Sequence, residues 1–234
     1  MLTAANKSAS FAPAPVGWRF TGWAGPKIIG AVGNRRTDAA GLVQALGTAV
    51  VAEAEQVHGA GIACLGRAPA GASQVPGCDA LITDQPGIAL VIRSADCLPI
   101  LFAASAQRVV GIAHAGWRGL DARLPSRMLA AFWTVFRVPA QSLTVAIGPS
   151  IRACCYEVGP EFSPRLRPFI REQPGRRTCD LIAAARSQLE QGGVPARRVI
   201  EAGSCTACDT DEWFSLRREG AATGRLASVV LLRP

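Results

Sequence analysis

Histidine is almost absent from this 234-residue chain, which has only His58 and His114. Sites assembled from many imidazoles are therefore ruled out by ligand supply. Lysine is equally scarce, with Lys7 and Lys27 alone, so arginine carries nearly all of the positive charge behind a net +8. Most arginines are scattered, with small groups at Arg35-Arg36, Arg176-Arg177, Arg197-Arg198 and Arg217-Arg218. No basic helix and no basic strand interleaved with aromatics is present, which argues against nucleic acid as a partner. A small anion or phosphate is the better use for one or two of these side chains. No run of about 18 apolar residues exists, so no membrane-spanning helix is expected. The stretch Met1 to Pro15 is rich in Ala, Ser and Pro and lacks the apolar core of a signal peptide. It reads as a flexible tail, residues 1–15, ahead of one domain over residues 16–234. Without a secretion signal, the eight cysteines are expected as free thiols in a reducing cytoplasm.

Half of the composition is apolar (49%) and only 18% is charged, enough to bury a sizeable core. The first clear core strand is expected near Ala80–Thr83, followed by strands at Gly87–Arg93, Pro99–Ala103 and Arg108–Ala113. Each is a short β-branched or apolar run bounded by Gly, Pro or Asp. A helix is expected over Pro125–Phe136, where Met128, Ala131, Phe132 and Val135 fall at helical spacing. Further helices are read at Asp38–Leu46 and Ile182–Gln191, the latter stopped by Gly192-Gly193, and strands at Leu143–Ile147, Val199–Ala202 and Leu226–Leu232. Adjacent strands mixed with isolated helices give an α+β class: mixed sheets, helices packed outside, and a site at strand ends.

The chemistry concentrates around His58 in Glu55-Gln-Val-His-Gly59, Cys97 in Ser94-Ala-Asp-Cys-Leu-Pro99, and His114 in Ala113-His-Ala-Gly-Trp-Arg-Gly119. One thiolate and two imidazoles suit zinc and leave a fourth position open, the catalytic pattern. By spacing alone, two satisfied histidines and a buried thiol are the stronger reading, because the gaps match no short metal motif. The surroundings pull the other way: Gly59, Ala115 and Gly116 keep the approach open, and Asp96 stands ready to orient a ligand. A rival reading makes Cys97 a nucleophile activated by His114. Cys205-Thr-Ala-Cys208 has no second pair at ribbon spacing, and the adjacent Cys154 and Cys155 do not easily ligate together, so all four read as free thiols. The glycine-rich stretch Gly148–Gly159, with the chain's only tyrosine (Tyr156), reads equally as a tight loop or a pocket wall. Trp213–Gly220 reads as a solvated strand edge, with an anion contact through its two arginines as the alternative.

Taken together, seven segments in order resemble the laccase-domain proteins, also described as multicopper polyphenol oxidase-like proteins or laccase-domain purine nucleoside phosphorylases. They are the Glu55–Gly59 motif, Asp79-Ala-Leu-Ile-Thr83, Ala95-Asp-Cys-Leu-Pro-Ile-Leu101, the Ala113–Gly119 motif, Ala146-Ile-Gly-Pro149 with Cys154-Cys-Tyr-Glu-Val-Gly159, Cys205-Thr206, and Phe214-Ser-x-Arg-Arg218 with Thr223-Gly-Arg225. The resemblance covers about residues 55 to 232. It implies a catalytic zinc on His58, Cys97 and His114, with copper as the alternative metal. It implies purine nucleoside and phosphate as partners: phosphorolysis of nucleosides including methylthioadenosine, and deamination of adenosine. Gln56, Asp96, Arg118 and Tyr156 become candidates for substrate binding, and Glu157 joins Asp96 as a candidate acid. Copper-dependent phenol oxidation and a Cys-His amidase acting on peptidoglycan precursors are the alternatives. The protein is expected as a monomer or homodimer. The chain departs from the family's pattern before residue 37, where a loop is shortened and its arginine missing. Arg35 or Arg36 then stands in for the lost anion contact, and Leu216 replaces a frequent tyrosine.

Overall fold

The central strands of this chain are buried on both faces, so their apolar runs are nearly continuous and the sheets must be covered on each side. A computed structural model describes residues 9–48, 50–66 and 72–234. The elements run in order as β1 (Ser10–Pro13), β2 (Trp18–Thr21), β3 (Ile28–Val32), α1 (Ala39–Ala45), β4 (Val50–Ala54), β5 (Ile62–Leu65) and β6 (Ala72–Val75). They continue as β7 (Ala80–Thr83), β8 (Ile88–Ser94), β9 (Leu98–Ala104), β10 (Val109–Ala115), α2 (Trp117–Asp121), α3 (Leu124–Phe136) and β11 (Thr144–Ile147). The last are β12 (Ile170–Gln173), β13 (Arg176–Cys179), α4 (Leu181–Gln191), β14 (Val199–Glu201), α5 (Leu216–Glu219) and β15 (Leu226–Leu232).

Two mixed sheets result. One has the order β1-β2-β3-β15-β8-β4-β6 and the other β14-β11-β9-β10-β7-β5, while β12 and β13 form a separate hairpin. Side-chain alternation sorts three apolar layers. Leu101 and Ala103 of β9, Val110 and Ile112 of β10, and Ile88, Leu90 and Ile92 of β8 meet between the sheets. Leu98, Ile100 and Phe102 face the other way, onto Met128 and Phe132 of α3 and Leu189 of α4. Ala89, Val91, Val229 and Leu231 face Leu42 and Val43 of α1. The order is helix, sheet, sheet, helix. Each fully buried Leu, Ile or Phe in these layers contributes about 1.5–3 kcal/mol.

The chain passes from the first sheet to the second between β4 and β5, between β6 and β7, and between β8 and β9. His58 lies in the first of these passages and Cys97 in the last, while His114 sits near the end of β10. Among the described residues no helix is long and apolar enough to cross a membrane.

The strands and helices read from β7 onward stand within a residue or two of the expected bounds. Asp38 caps α1, its carboxylate accepting from Gly41 N at 2.7 Å. Three expectations are corrected. The tail does not extend to residue 15: Ser10–Pro13 pairs with β2, and Phe11 packs against Trp18, Phe20 and Trp213. Residues 1–8 lie outside the described part. The first core strand is β3, wholly buried, not Ala80–Thr83. Trp213–Gly220 is no strand edge: Trp213 and Ser215 are fully buried, and Ser215 caps α5.

Candidate metal centre

The donor atoms of His58, Cys97 and His114 lie within 4.8 Å of one another. The two rings meet edge to face, with centroids 4.9 Å apart. His114 is buried near the end of β10. The other donors sit on strained backbone: His58 has φ +58°, and Asp96, just before Cys97, has φ +90°. Non-glycine residues hold such angles only where the surroundings impose them, typically at functional sites.

Asp79 does the imposing. Its fully buried carboxylate accepts from His58 N at 3.0 Å and Gly59 N at 2.7 Å, and His114 Nδ1 donates to it at 3.1 Å. The Nδ1 bond fixes the tautomer and turns His114 Nε2 toward the thiol. No other side chain in the site region does as much, and the sequence reading gave Asp79 no chemical part. The available signal was a carboxylate opening the apolar strand Ala80–Thr83, where a charge needs a partner. Burial alone would raise the Asp79 pKa, but the His114 bond and the two N–H groups carry it below the ordinary value.

Cys97 and His114 polarise each other. Burial opposes the thiolate, yet hydrogen bonds from His114 and His58 bring Cys97 down to about 7. Burial likewise opposes the imidazolium, yet Asp79 and Cys97 hold His114 up to about 9. In metal-free protein the pair is thus thiolate and imidazolium between those two values. Iodoacetamide labelling of Cys97, followed on its peptide by mass spectrometry, is expected to rise through an apparent pKa near 7. The thiolate exists above that value and is lost as pH falls through it; a midpoint at the ordinary 9 would contradict the pairing.

Gly116 borders the thiol so closely that a Cβ there would lie 2.9 Å from Cys97 Sγ. Only glycine leaves the sulfur its place. The next residues build an aromatic side to the site. Trp117 packs against Phe162 with centroids 5.2 Å apart, and Tyr156 meets Phe162 edge-on at 6.1 Å. Arg118 covers Trp117 at 4.6 Å and Arg217 covers Tyr156 at 5.2 Å. Burial raises the Tyr156 pKa, and the charge of Cys97 raises it further.

Two of the candidate side chains have partners within the protein. Asp96 accepts from Thr206 Oγ1 at 2.6 Å with one oxygen and from Arg217 N at 2.7 Å with the other. Its work is to pin the loop carrying Cys97 to the C-terminal segment. The Gln56 amide is clamped on the backbone of Arg93, donating to its oxygen at 2.5 Å and accepting from its nitrogen at 2.7 Å. Arg35 is similarly engaged, with Glu219 at 2.5 Å and over the Phe214 ring at 4.5 Å, while Arg36 is exposed. The four thiols read as separate also come together: the sulfurs of Cys154, Cys155, Cys205 and Cys208 lie within 4.8 Å of one another.

Residues 31–233 match the family described as multi-copper polyphenol oxidoreductase laccase. The chain belongs to this family. Among its relatives is a protein named purine nucleoside phosphorylase YlmD from Geobacillus stearothermophilus, 37% identical over 191 residues, 75% of this chain and 70% of that one. Another, from an unknown prokaryotic organism, is named adenosine deaminase RL5 and is 36% identical over 162 residues, 64% of this chain and 60% of that one. The crystal structure of YlmD from Geobacillus stearothermophilus superposes with a TM-score of 0.84 at 28% identity, covering 97% of this chain and all of that one. As a family member the protein carries a thiolate and two imidazoles fit to hold one metal ion, the donor set of an open catalytic site.

Proposed function

We propose that this protein is a zinc-dependent purine nucleoside phosphorylase, with adenosine deamination as a second activity. The convergence of His58, Cys97 and His114 carries the reading, because three protein donors leave one position for a reactant. Three protein donors with a fourth position open fit a catalytic zinc, and two histidines are too few for a multicopper centre. Zinc held by these three residues would supply Lewis-acid chemistry. The names of the relatives support purine nucleosides as substrates, adenosine among them, and we extend the proposal to methylthioadenosine as a related nucleoside.

The chain's own residues then divide the work. Asp79 holds both the His114 ring and the His58 backbone, so the donors are set before substrate arrives. Tyr156, Phe162 and Trp117 offer flat apolar surface to a purine base. Arg118 and Arg217 flank those rings and give phosphate two cationic partners. Phosphorolysis joins a phosphate oxygen to the ribose carbon and releases the base; deamination exchanges the adenine amino group for water's oxygen. Eight free thiols suit a reducing compartment such as the cytoplasm.

Adenosine incubated with the metal-loaded protein is expected to give adenine only when phosphate is present, and inosine with or without it, read by chromatography. No product in either incubation would overturn the proposal. A second reading has one observation of its own: Cys97, His114 and Asp79 are linked as nucleophile, base and orienting acid. That arrangement suits an amidase working on peptidoglycan precursors. Such an enzyme would act in metal-free form and stop on alkylation of Cys97, whereas the nucleoside enzyme is expected to need its metal.

A further inference from the structure

We propose that Cys154, Cys155, Cys205 and Cys208 form a second metal site, holding one zinc ion through four thiolates and separate from the His58, Cys97 and His114 group. Two segments some 50 residues apart supply the donors, and their sulfurs fall within 4.8 Å of one another. Cys155 and Cys208 sulfurs are 3.3 Å apart, and those of Cys154 and Cys208 3.6 Å. Tetrahedral zinc with bonds of about 2.3 Å requires sulfurs about 3.8 Å apart, so these separations suit a single ion. They are too long for disulfides. Neutral thiols gain little by converging four at a time, because sulfur is a weak donor and a weak acceptor.

The backbone is arranged as such a site needs. Cys205 pairs in a short bridge with Ser150, and Thr206 N donates to Ser150 O at 3.1 Å. Cys208 N and Asp209 N both turn back to Cys205 O, closing a tight Cys-x-x-Cys turn. Backbone N–H groups of Arg152, Ala207 and Cys208 lie beside the Cys205 sulfur. On the opposite side, Cys155 N and Tyr156 N both bond Arg152 O, a turn that aims two successive side chains at the same point.

Four thiolates around a divalent ion leave two net negative charges, and arginines surround them. Arg176 donates to Cys154 O, Arg217 to Cys155 O at 3.4 Å, and Arg218 to Thr206 O and Ala207 O at 2.7 and 3.0 Å. An all-sulfur tetrahedral set selects zinc among the common resident ions. All four donors are protein atoms, so the site is structural and takes no substrate. It ties the loop that carries Tyr156 to the loop whose Thr206 holds Asp96, beside Cys97.

The test is the zinc content of full-length protein made in zinc-supplemented cells and dialysed, measured by mass spectrometry of the metal. Wild type is expected to hold about two ions, and a His58→Ala, Cys97→Ala variant about one, with X-ray absorption showing four sulfurs at about 2.3 Å. A Cys205→Ser, Cys208→Ser variant is expected to lose the all-sulfur ion. If wild type holds a single ion that survives His58→Ala, Cys97→Ala, this site stands and the nucleoside reading loses its metal. Absence of zinc from that variant, or an intact mass lower by a hydrogen pair for each disulfide, would overturn the second site.

Discussion

Replacing Cys97 with alanine is expected to reduce nucleoside turnover to background and to weaken metal binding at its site by more than about 100-fold. Loss of groups that only support a ligand already costs about 10–100-fold, so loss of a ligand itself must cost more. The thiolate is the anionic donor of the three, and the two imidazoles left behind make a poor zinc site. The side chain is small and only half-buried, so the fold tolerates the change and the loss is chemical rather than structural. Metal stoichiometry and product formation measured on the same preparation check it. Undiminished turnover would mean that neither metal nor nucleophile at Cys97 matters, and both functional readings would fall together.

Asp79→Asn is the second large effect. The amide is nearly isosteric but carries no charge, and one of its two positions becomes a donor. That donor then faces an N–H of Gly59 or the His114 ring, which already donate to the carboxylate. His114 loses the group that holds its pKa at about 9 and that selects its tautomer. Metal affinity is expected to fall about 10–100-fold. Metal-free stability should fall by about 2–3 kcal/mol, the worth of hydrogen bonds to a buried charge. For a chain of this length that is roughly 5–10 °C in melting temperature. Asp79→Ala separates the two effects, since it also leaves His58 N and Gly59 N unpaired and should melt lower still. A variant that binds metal as tightly as wild type would remove Asp79 from the site.

The readable part of this fold was the part buried on both sides. Strands β7 to β10 and β15 are runs of Val, Ile, Leu and Ala because both faces meet apolar layers. Strand β3 escaped because Ile28-Ile-Gly-Ala-Val32 is short and its partner β15 lies some 200 residues away. Strands β12 and β13 escaped because Arg, Glu and Gln on an exposed hairpin carry no apolar signal. Which strand belongs to which sheet could not be read, since sheet membership is decided by long-range pairing. His58, Cys97 and His114 were legible from their flanking glycines and alanines and from the resemblance they completed. Asp79 was quoted within a motif yet given no chemistry, because its partners are two backbone N–H groups and a ring 35 residues away. The four-cysteine cluster was dismissed on a rule about neighbours in sequence. The turn at Arg152–Cys155 suspends that rule by bending both side chains inward.

Two of the three donors of the candidate metal centre occupy places where the chain steps from one sheet to the other. The gap between the sheets, filled by side chains such as Leu90, Leu101 and Ile112, is therefore the ruler that sets donor spacing. A core substitution that swells or shrinks this layer is transmitted to the rim as a change in bite, even far from any ligand. The filling of the sandwich thus bears on the spacing of the candidate donors as well as on packing.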